Sequence, residues 1–268
     1  QEAVVCERES GQIERLTYGE LAREVDALAL GLRSLGIERG DYVGVFMPMT
    51  PRAVTASYAV AKLGAVYLPI FSGFAAHAVA ARLNDAGAKL LITADGSARR
   101  GKDAPIKPVA DEVASQVPTL EHVVVVREQG NAIDFDPSRD VEYDELVAPF
   151  RGQSIEAAPT GSEDQVMIGY TSGTTGAPKG AVHVHGGFTV KMISEVAYQL
   201  DLHAGERFMW VTDMGWIMGP VNMLGAHGLG ATMVMMEGAP DWPDPARLWR
   251  LVDDEEINVL GISPTLIR

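Results

Sequence analysis

The chain has 268 residues, 47% of them hydrophobic, with a mean hydropathy of +0.05, enough apolar material to bury one large domain or two smaller lobes. Its longest apolar runs, at 123–126 and 233–236, fall far short of the roughly 20 residues a membrane-crossing helix needs, so no membrane span is expected. A formal net charge of −14 excludes the broad basic footprint that nucleic-acid phosphates require, and the lone cysteine, Cys6, excludes an internal disulfide and fits a reducing cytoplasm.

The sequence opens on Gln1 and Glu2 with no basic-then-apolar leader, so no secretory signal is expected, and the start reads as trimmed or as that of an excised piece. Residues 17–37 read as a helix. Leu21, Val25, Leu28, Leu32 and Leu35 recur at three- and four-residue intervals, Gly36 closes the element, and Thr17 with Glu20 makes a capping box. The run 42–47 is the short apolar stretch of a buried parallel strand. A small-residue helix from Pro51 to about Gly64 follows, then a strand at 65–70, a helix at 77–86 and a strand at 89–93. Strand and helix alternating at this spacing predict an α/β fold with a mainly parallel sheet.

Residues 94–165 are rich in Asp, Glu and Pro and hold one clear strand, 123–126, and much of this stretch is expected to be surface loop. The small, polar, aperiodic segment 152–164 reads as a linker between two lobes, residues 1–151 and residues 165–268. The second lobe is expected to run strand 165–170, a Gly-rich stretch, strand 180–185, helix 188–200, and strands at 208–211 and 232–236.

The Gly-rich stretch, Tyr170-Thr-Ser-Gly-Thr-Thr-Gly-Ala-Pro-Lys-Gly180, has the composition of an anion cradle. Glycines let backbone N–H groups converge on phosphate oxygens, the hydroxyls of Thr171, Ser172, Thr174 and Thr175 add donors, and Lys179 adds a point charge. A generic Gly/Ser/Thr hairpin is the competing reading. A P-loop is excluded, because Gly176 is followed by Ala-Pro-Lys-Gly rather than Gly-Lys-Ser/Thr, and the next segment reads as strand, not helix.

This motif resembles the phosphate-loop signature of the adenylate-forming superfamily, which includes acyl-CoA synthetases, luciferases and the adenylation domains of peptide synthetases. The resemblance extends over nearly the whole chain. It implies an acyl-CoA synthetase-like N-terminal domain, incomplete here, with two lobes of mainly parallel sheet flanked by helices. It further implies that Thr171, Ser172, Gly173, Thr174, Thr175, Gly176 and Lys179 meet the β- and γ-phosphates of ATP with its Mg²⁺, Lys179 steadying the departing pyrophosphate.

Three further segments resemble the acetyl-CoA synthetase type. Asp213-Met-Gly-Trp-Ile-Met-Gly219 is similar to the segment lining the acyl pocket. That resemblance places Asp213, Gly215, Trp216, Ile217 and Met218 at the substrate, with Ile217 and Met218 where acetate enzymes usually carry Val-Thr. Plain core packing is the competing reading for Trp216 and Met218. Phe71-Ser72-Gly73-Phe74 resembles a Phe-Gly-Gly-Phe turn beside the CoA channel, with Ser72 in place of a glycine. Arg99-Arg100-Gly101-Lys102 resembles the basic turn that meets CoA phosphates, Lys102 standing where the family more often has arginine; a solvated surface turn is the alternative. Glu237-Gly238, which also resembles the acetyl-CoA synthetase pattern, is expected only to frame the fold.

His183 and His185 alternate on one strand but gain no third ligand at metal spacing, so no protein metal site is expected, and Ser172 has no histidine placed to form a hydrolase triad. The reaction implied is attack of a short-chain carboxylate on the α-phosphate of ATP, giving an acyl-adenylate, then displacement of AMP by the thiol of CoA. The alternatives are an adenylating enzyme with a non-CoA acceptor and a non-catalytic nucleotide-binding module. Measured against the family pattern, the chain stops before the adenine, ribose and catalytic-lysine segments, so the 268 residues alone are expected to bind ATP weakly and adenylate poorly or not at all. Oligomeric state has no signature in the sequence.

Overall fold

The structure is a computed structural model that describes residues 1–171 and 178–267. Strand β1 (Glu2–Glu7) turns back into β2 (Ile13–Thr17), and Thr17 then caps helix α1 (Tyr18–Ser34). The Thr17 hydroxyl accepts from the Glu20 N–H at 3.2 Å and the Glu20 carboxylate accepts from the Thr17 N–H at 2.8 Å, the reciprocal box the sequence predicts. Leu21, Val25, Leu28 and Leu32 form the buried face of α1. β3 (Tyr42–Phe46) leads into α2 (Pro51–Lys62), which opens on proline, whose missing N–H costs nothing at a first helical position. β4 (Val66–Pro69), α3 (Ala76–Ala86) and β5 (Leu90–Ala94) continue the alternation.

Downstream come the hairpin β6 (Gly96–Arg99) and β7 (Lys102–Pro105), α4 (Lys107–Gln116), β8 (His122–Val126), β9 (Asp140–Glu142) and α5 (Tyr143–Val147). β10 (Gln165–Thr171) and β11 (Lys179–Val184) precede α6 (His185–Gln199) and β12 (Arg207–Trp210). The remaining elements used below are α7 (Met218–Gly228), β13 (Thr232–Met236), α8 (Arg247–Asp254) and β14 (Val259–Gly261).

Two large sheets carry the fold, with strand orders β11-β10-β4-β3-β5-β8-β9 and β14-β12-β13-β1-β2. Their ladders are parallel except β10–β11 and β1–β2. The fold is thus α/β with mostly parallel sheets flanked by helices, and β5 and β13 are buried along their whole length and mostly apolar because both their faces are covered. Each sheet draws strands from both sides of residues 152–164: β10 joins β4 at Met167↔Tyr67, and β1 lies beside β13 at Val4↔Met233. The 152–164 stretch itself carries no helix or strand, and the Ala158 N–H in it donates to the Lys62 carbonyl at 2.8 Å.

Residues 94–165, in which the sequence shows one clear strand, also hold a two-stranded hairpin, a ten-residue helix and the edge strand β9, with loop between them. α4 escapes notice because its buried face is short, Ala110 and Val113. Its ordering device is polar: the buried ammonium of Lys107 meets Asp140 at 2.7 Å and Asp111 at 2.6 Å.

α7 is tied to α2 and β1 through His227, whose Nε2 lies 2.9 Å from the Ala3 carbonyl and whose Nδ1 lies 2.8 Å from the Tyr58 hydroxyl. A carbonyl only accepts, so Nε2 carries the proton and Nδ1 accepts from Tyr58. Burial pushes the imidazole down from 6.5 to about 4, against the Ala3 carbonyl, which pulls it up. The unfolded chain therefore binds this proton first, and the stability that neutral His227 contributes is complete above about pH 6.5 and is lost as pH falls from there toward 4. Between pH 7 and pH 5 the group should cost on the order of 2 kcal/mol of stability. Urea unfolding of the wild type and of His227→Gln at both pH values checks this: the variant should lose markedly less on acidification, and equal losses would refute the assignment.

Candidate active site

A cleft of about 380 Å³ opens where parallel strands of both sheets reach their carboxyl ends, the place where open α/β sheets leave room for ligands. Each strand end delivers a wall: Met49 beyond β3, Phe71 and Ser72 beyond β4, Thr212 and Asp213 beyond β12, Glu237 at the end of β13. Arg99, at the end of β6, closes the side. The sequence placed Phe71, Ser72 and Arg99 on one ligand and Asp213 and Trp216 on another; the fold brings all five to this one cleft.

Asp213 is the hub of the wall. Its Oδ1 accepts from the Gly215 N–H at 2.8 Å and the Ser72 N–H at 3.4 Å, and its Oδ2 accepts from the Ser72 hydroxyl at 2.5 Å. Burial pushes its carboxyl above the ordinary aspartate range, against the Ser72 and Gly215 donors and the charge of Arg99. The loop and the turn approach so closely that a Cβ on Gly215 would sit 2.0 Å from the Phe71 nitrogen and 2.2 Å from its Cα. Trp216 then stacks on Phe71 at 5.1 Å and meets Phe74 edge-on at 5.9 Å, while the Arg82 guanidinium lies 4.3 Å over the Phe74 ring.

Trp216 also lines a second cleft of about 420 Å³, together with Gly169, Thr171, His183, Gly215 and Ile217 among others. This cleft lies under the β10–β11 hairpin, in which Thr171 and Lys179 are register partners at the loop end, both exposed. Ser172, Gly173, Thr174, Thr175 and Gly176 lie outside the described residues. Tyr170 anchors the hairpin to α3 by donating to Asp85 at 2.8 Å and the Arg82 carbonyl at 3.1 Å. His183 stacks on Phe188 at 4.6 Å, and burial pushes its pKa below the ordinary imidazole value. Met218 opens α7, half-buried against the core, and lines neither cleft.

Arg99 and Lys102 are register partners flanking the turn of the β6–β7 hairpin. Among the described residues neither takes part in an ion pair, whereas Arg100 between them binds Asp241 with both carboxylate oxygens at 2.9 Å. The turn is bolted down from below by Glu9, whose carboxylate accepts from the Gly101 N–H at 2.8 Å and the Ala239 N–H at 3.1 Å. Lys102 and Gly73 do not line the 380 Å³ cleft. Glu237, expected only to frame the fold, lies on the floor of this cleft, accepting from Gln129 at 3.0 Å and paired with Arg8 at 3.3 Å; burial raises its pKa against that cation. A carboxylate ending the apolar strand Met-Val-Met-Met is the sequence signal that marks it.

Among the described residues no group of three or more His, Cys, Asp or Glu is arranged to hold a metal ion, and no described helix is long and apolar enough to cross a membrane.

Clefts at the strand ends beside the β10–β11 hairpin mark an α/β protein with a candidate ligand site, and comparison with known proteins makes the class specific. The chain belongs to the AMP-binding enzyme family, whose model matches residues 1–268. It is 41% identical over 261 residues to an acetyl-coenzyme A synthetase of Methanothrix thermoacetophila, covering 96% of this chain and 39% of that protein. It is 40% identical over 263 residues to the acetyl-coenzyme A synthetase of Escherichia coli K12, covering 97% of this chain and 40% of that protein. Acetoacetyl-CoA synthetase from Streptomyces lividans superposes with a TM-score of 0.91 at 28% identity, over 99% of this chain and 40% of its own. The chain thus spans about two fifths of the length of the curated relatives it matches.

Proposed function

We propose that this chain forms the phosphate-loop and CoA-facing part of an AMP-forming acid–thiol ligase that activates a short-chain carboxylate as its acyl-adenylate and passes it to CoA. The observation that carries this reading is the shared wall. Trp216 borders both the cleft under the phosphate-loop hairpin and the cleft beside Arg99, so a carboxylate activated on one side is a single side chain away from a thiol arriving on the other. Similarity to proteins named acetyl-coenzyme A synthetase supports the acid and the acceptor.

ATP, bound with its Mg²⁺, supplies the electrophilic α-phosphate and the leaving pyrophosphate. Thr171 and Lys179, with the loop between them, fit the phosphates by charge and donor type. Gly215, Trp216 and Ile217 fit a small apolar acyl group, where each methylene of space is worth about 1–3 kcal/mol of discrimination. Arg99 and Lys102, which take part in no ion pair among the described residues, sit on a turn that Glu9 fixes and fit the phosphates of CoA. The protein's contribution is positioning and charge stabilisation. The buried, free thiol of Cys6 supports a cytoplasmic setting.

Calorimetric titration of CoA into the chain tests the acceptor assignment. Arg99→Ala and Lys102→Ala should each weaken CoA about tenfold, about 1.4 kcal/mol, and flatten the salt dependence of binding, with ATP affinity unchanged. Unaltered CoA binding in both variants would point to a different acceptor.

A further inference from the structure

The segment that resembles a Phe-Gly-Gly-Phe turn carries a serine here, and that serine has a partner the sequence does not reveal. The Ser72 hydroxyl donates to Asp213 Oδ2 at 2.5 Å across 141 residues of chain. We propose that Ser72 is a positioning residue: through Asp213 its hydroxyl fixes Trp216 as the partition between the two clefts, and so sets how far a thiol entering beside Arg99 reaches toward the acyl side.

The chain of contacts is short. Ser72 and Gly215 satisfy the two oxygens of one part-buried carboxylate. The Asp213 carbonyl accepts from the Trp216 N–H at 3.0 Å and the Trp216 carbonyl from the Gly219 N–H at 2.9 Å, so the backbone on both sides of the tryptophan is set by the residue Ser72 holds. A further bond, from the Tyr67 hydroxyl to the Met214 carbonyl at 3.3 Å, pins the loop to β4 but leaves the Asp213 carboxylate untouched. Removing the Ser72 hydroxyl leaves a part-buried carboxylate oxygen without its donor, and the loop gains by swinging Asp213 toward the water of the cleft. The indole, 45% exposed on its own account, has only the ring faces of Phe71 and Phe74 to hold it after such a swing. Asp213 lines the CoA-facing cleft beside Arg99, so its movement also redistributes charge against the cation assigned to the CoA phosphates.

This inference rests on the reading of the Arg99 cleft as the CoA side, and the experiment separates the two. The chain is labelled with 5-fluorotryptophan, the Trp216 resonance is assigned with Trp216→Phe, and CoA is titrated into the wild type, Ser72→Ala and Ser72→Thr, with thermal unfolding recorded for each. Wild type and Ser72→Thr, which keeps the hydroxyl, should show one narrow Trp216 line and affinities within about threefold of each other. Ser72→Ala should broaden or split that line and weaken CoA about tenfold. A narrow wild-type-like line in Ser72→Ala, or a Ser72→Thr line as broad as that of Ser72→Ala, overturns the positioning role. Line broadening in Ser72→Ala with no CoA binding even in the wild type upholds the contact chain and overturns the CoA assignment instead.

Discussion

Replacing Gly215 by alanine should destabilise the chain by about 3 kcal/mol or more, at the upper end of what overpacking costs, because the added carbon has nowhere to go. Its Cβ would lie 2.0 Å from the Phe71 nitrogen and 2.3 Å from the Ile70 carbonyl carbon, and these are backbone atoms at the end of a buried strand rather than the tips of flexible side chains. Relief requires parting the 213–219 loop from the 71–74 turn, which opens the wall common to both clefts. Thermal unfolding should show a midpoint lower by roughly 6 °C or more, with CoA and ATP affinity falling together. A midpoint within about 1 °C of wild type would mean that the two segments separate at little cost. Trp216→Phe, which keeps the backbone contact, is the control and should leave the midpoint nearly unchanged.

Asp140→Ala should destabilise by about 2–3 kcal/mol, because the buried ammonium of Lys107 loses its fully buried carboxylate partner and keeps only the more exposed Asp111. Lys107 is 1% exposed and Asp140 0% at the side chain, 2.7 Å apart, and Asp140 also accepts from Arg139 Nε at 2.7 Å and the Asp136 N–H at 3.0 Å. Burial alone would raise the Asp140 pKa; the bonds from Arg139 and Lys107 outweigh it and hold the carboxyl below the ordinary range. Such a group contributes stability above its unfolded pKa of about 3.9 and loses it as pH falls through the lower folded value, so the contribution is in full force at pH 7. Denaturant unfolding at pH 7 measures the loss, and replacing the pair together by Lys107→Met with Asp140→Leu should recover most of it. A double variant no better than Asp140→Ala would show that packing, not the under-paired ammonium, sets the cost.

The parts of the fold legible in the sequence are those where neighbours in the chain decide the structure. The leucine spacing and capping box of α1, the apolar runs of β3, β5 and β13, and the Gly-rich hairpin all announce themselves locally. α7 does not: Gly219, Pro220, Gly225 and Gly228 give it a poor helix propensity, and its glycines are explained only by close packing, since a Cβ on Gly225 would lie 2.4 Å from Val196 of α6. The contacts that make the candidate site are likewise distant ones. Nothing around Ser72 signals Asp213, and nothing around Glu9 signals the basic turn at Gly101 that it holds. The residue types of the site can be read from the chain, whereas their common cleft arises from strand ends that meet only when both sheets have formed.

The pairing of β1 with β13 also sets a constraint on how the molecule is made. These strands lie about 230 residues apart in the chain, and at synthesis rates of roughly 5–20 residues per second the first strand waits on the order of ten to fifty seconds before its central neighbour leaves the ribosome. Until then it has only β2 beside it, as an isolated hairpin of marginal stability with an apolar edge, Ala3 to Cys6, open to other chains. Such non-local pairing makes folding slow, and the β1–β2 hairpin depends on shielding from other chains until β13 has been made.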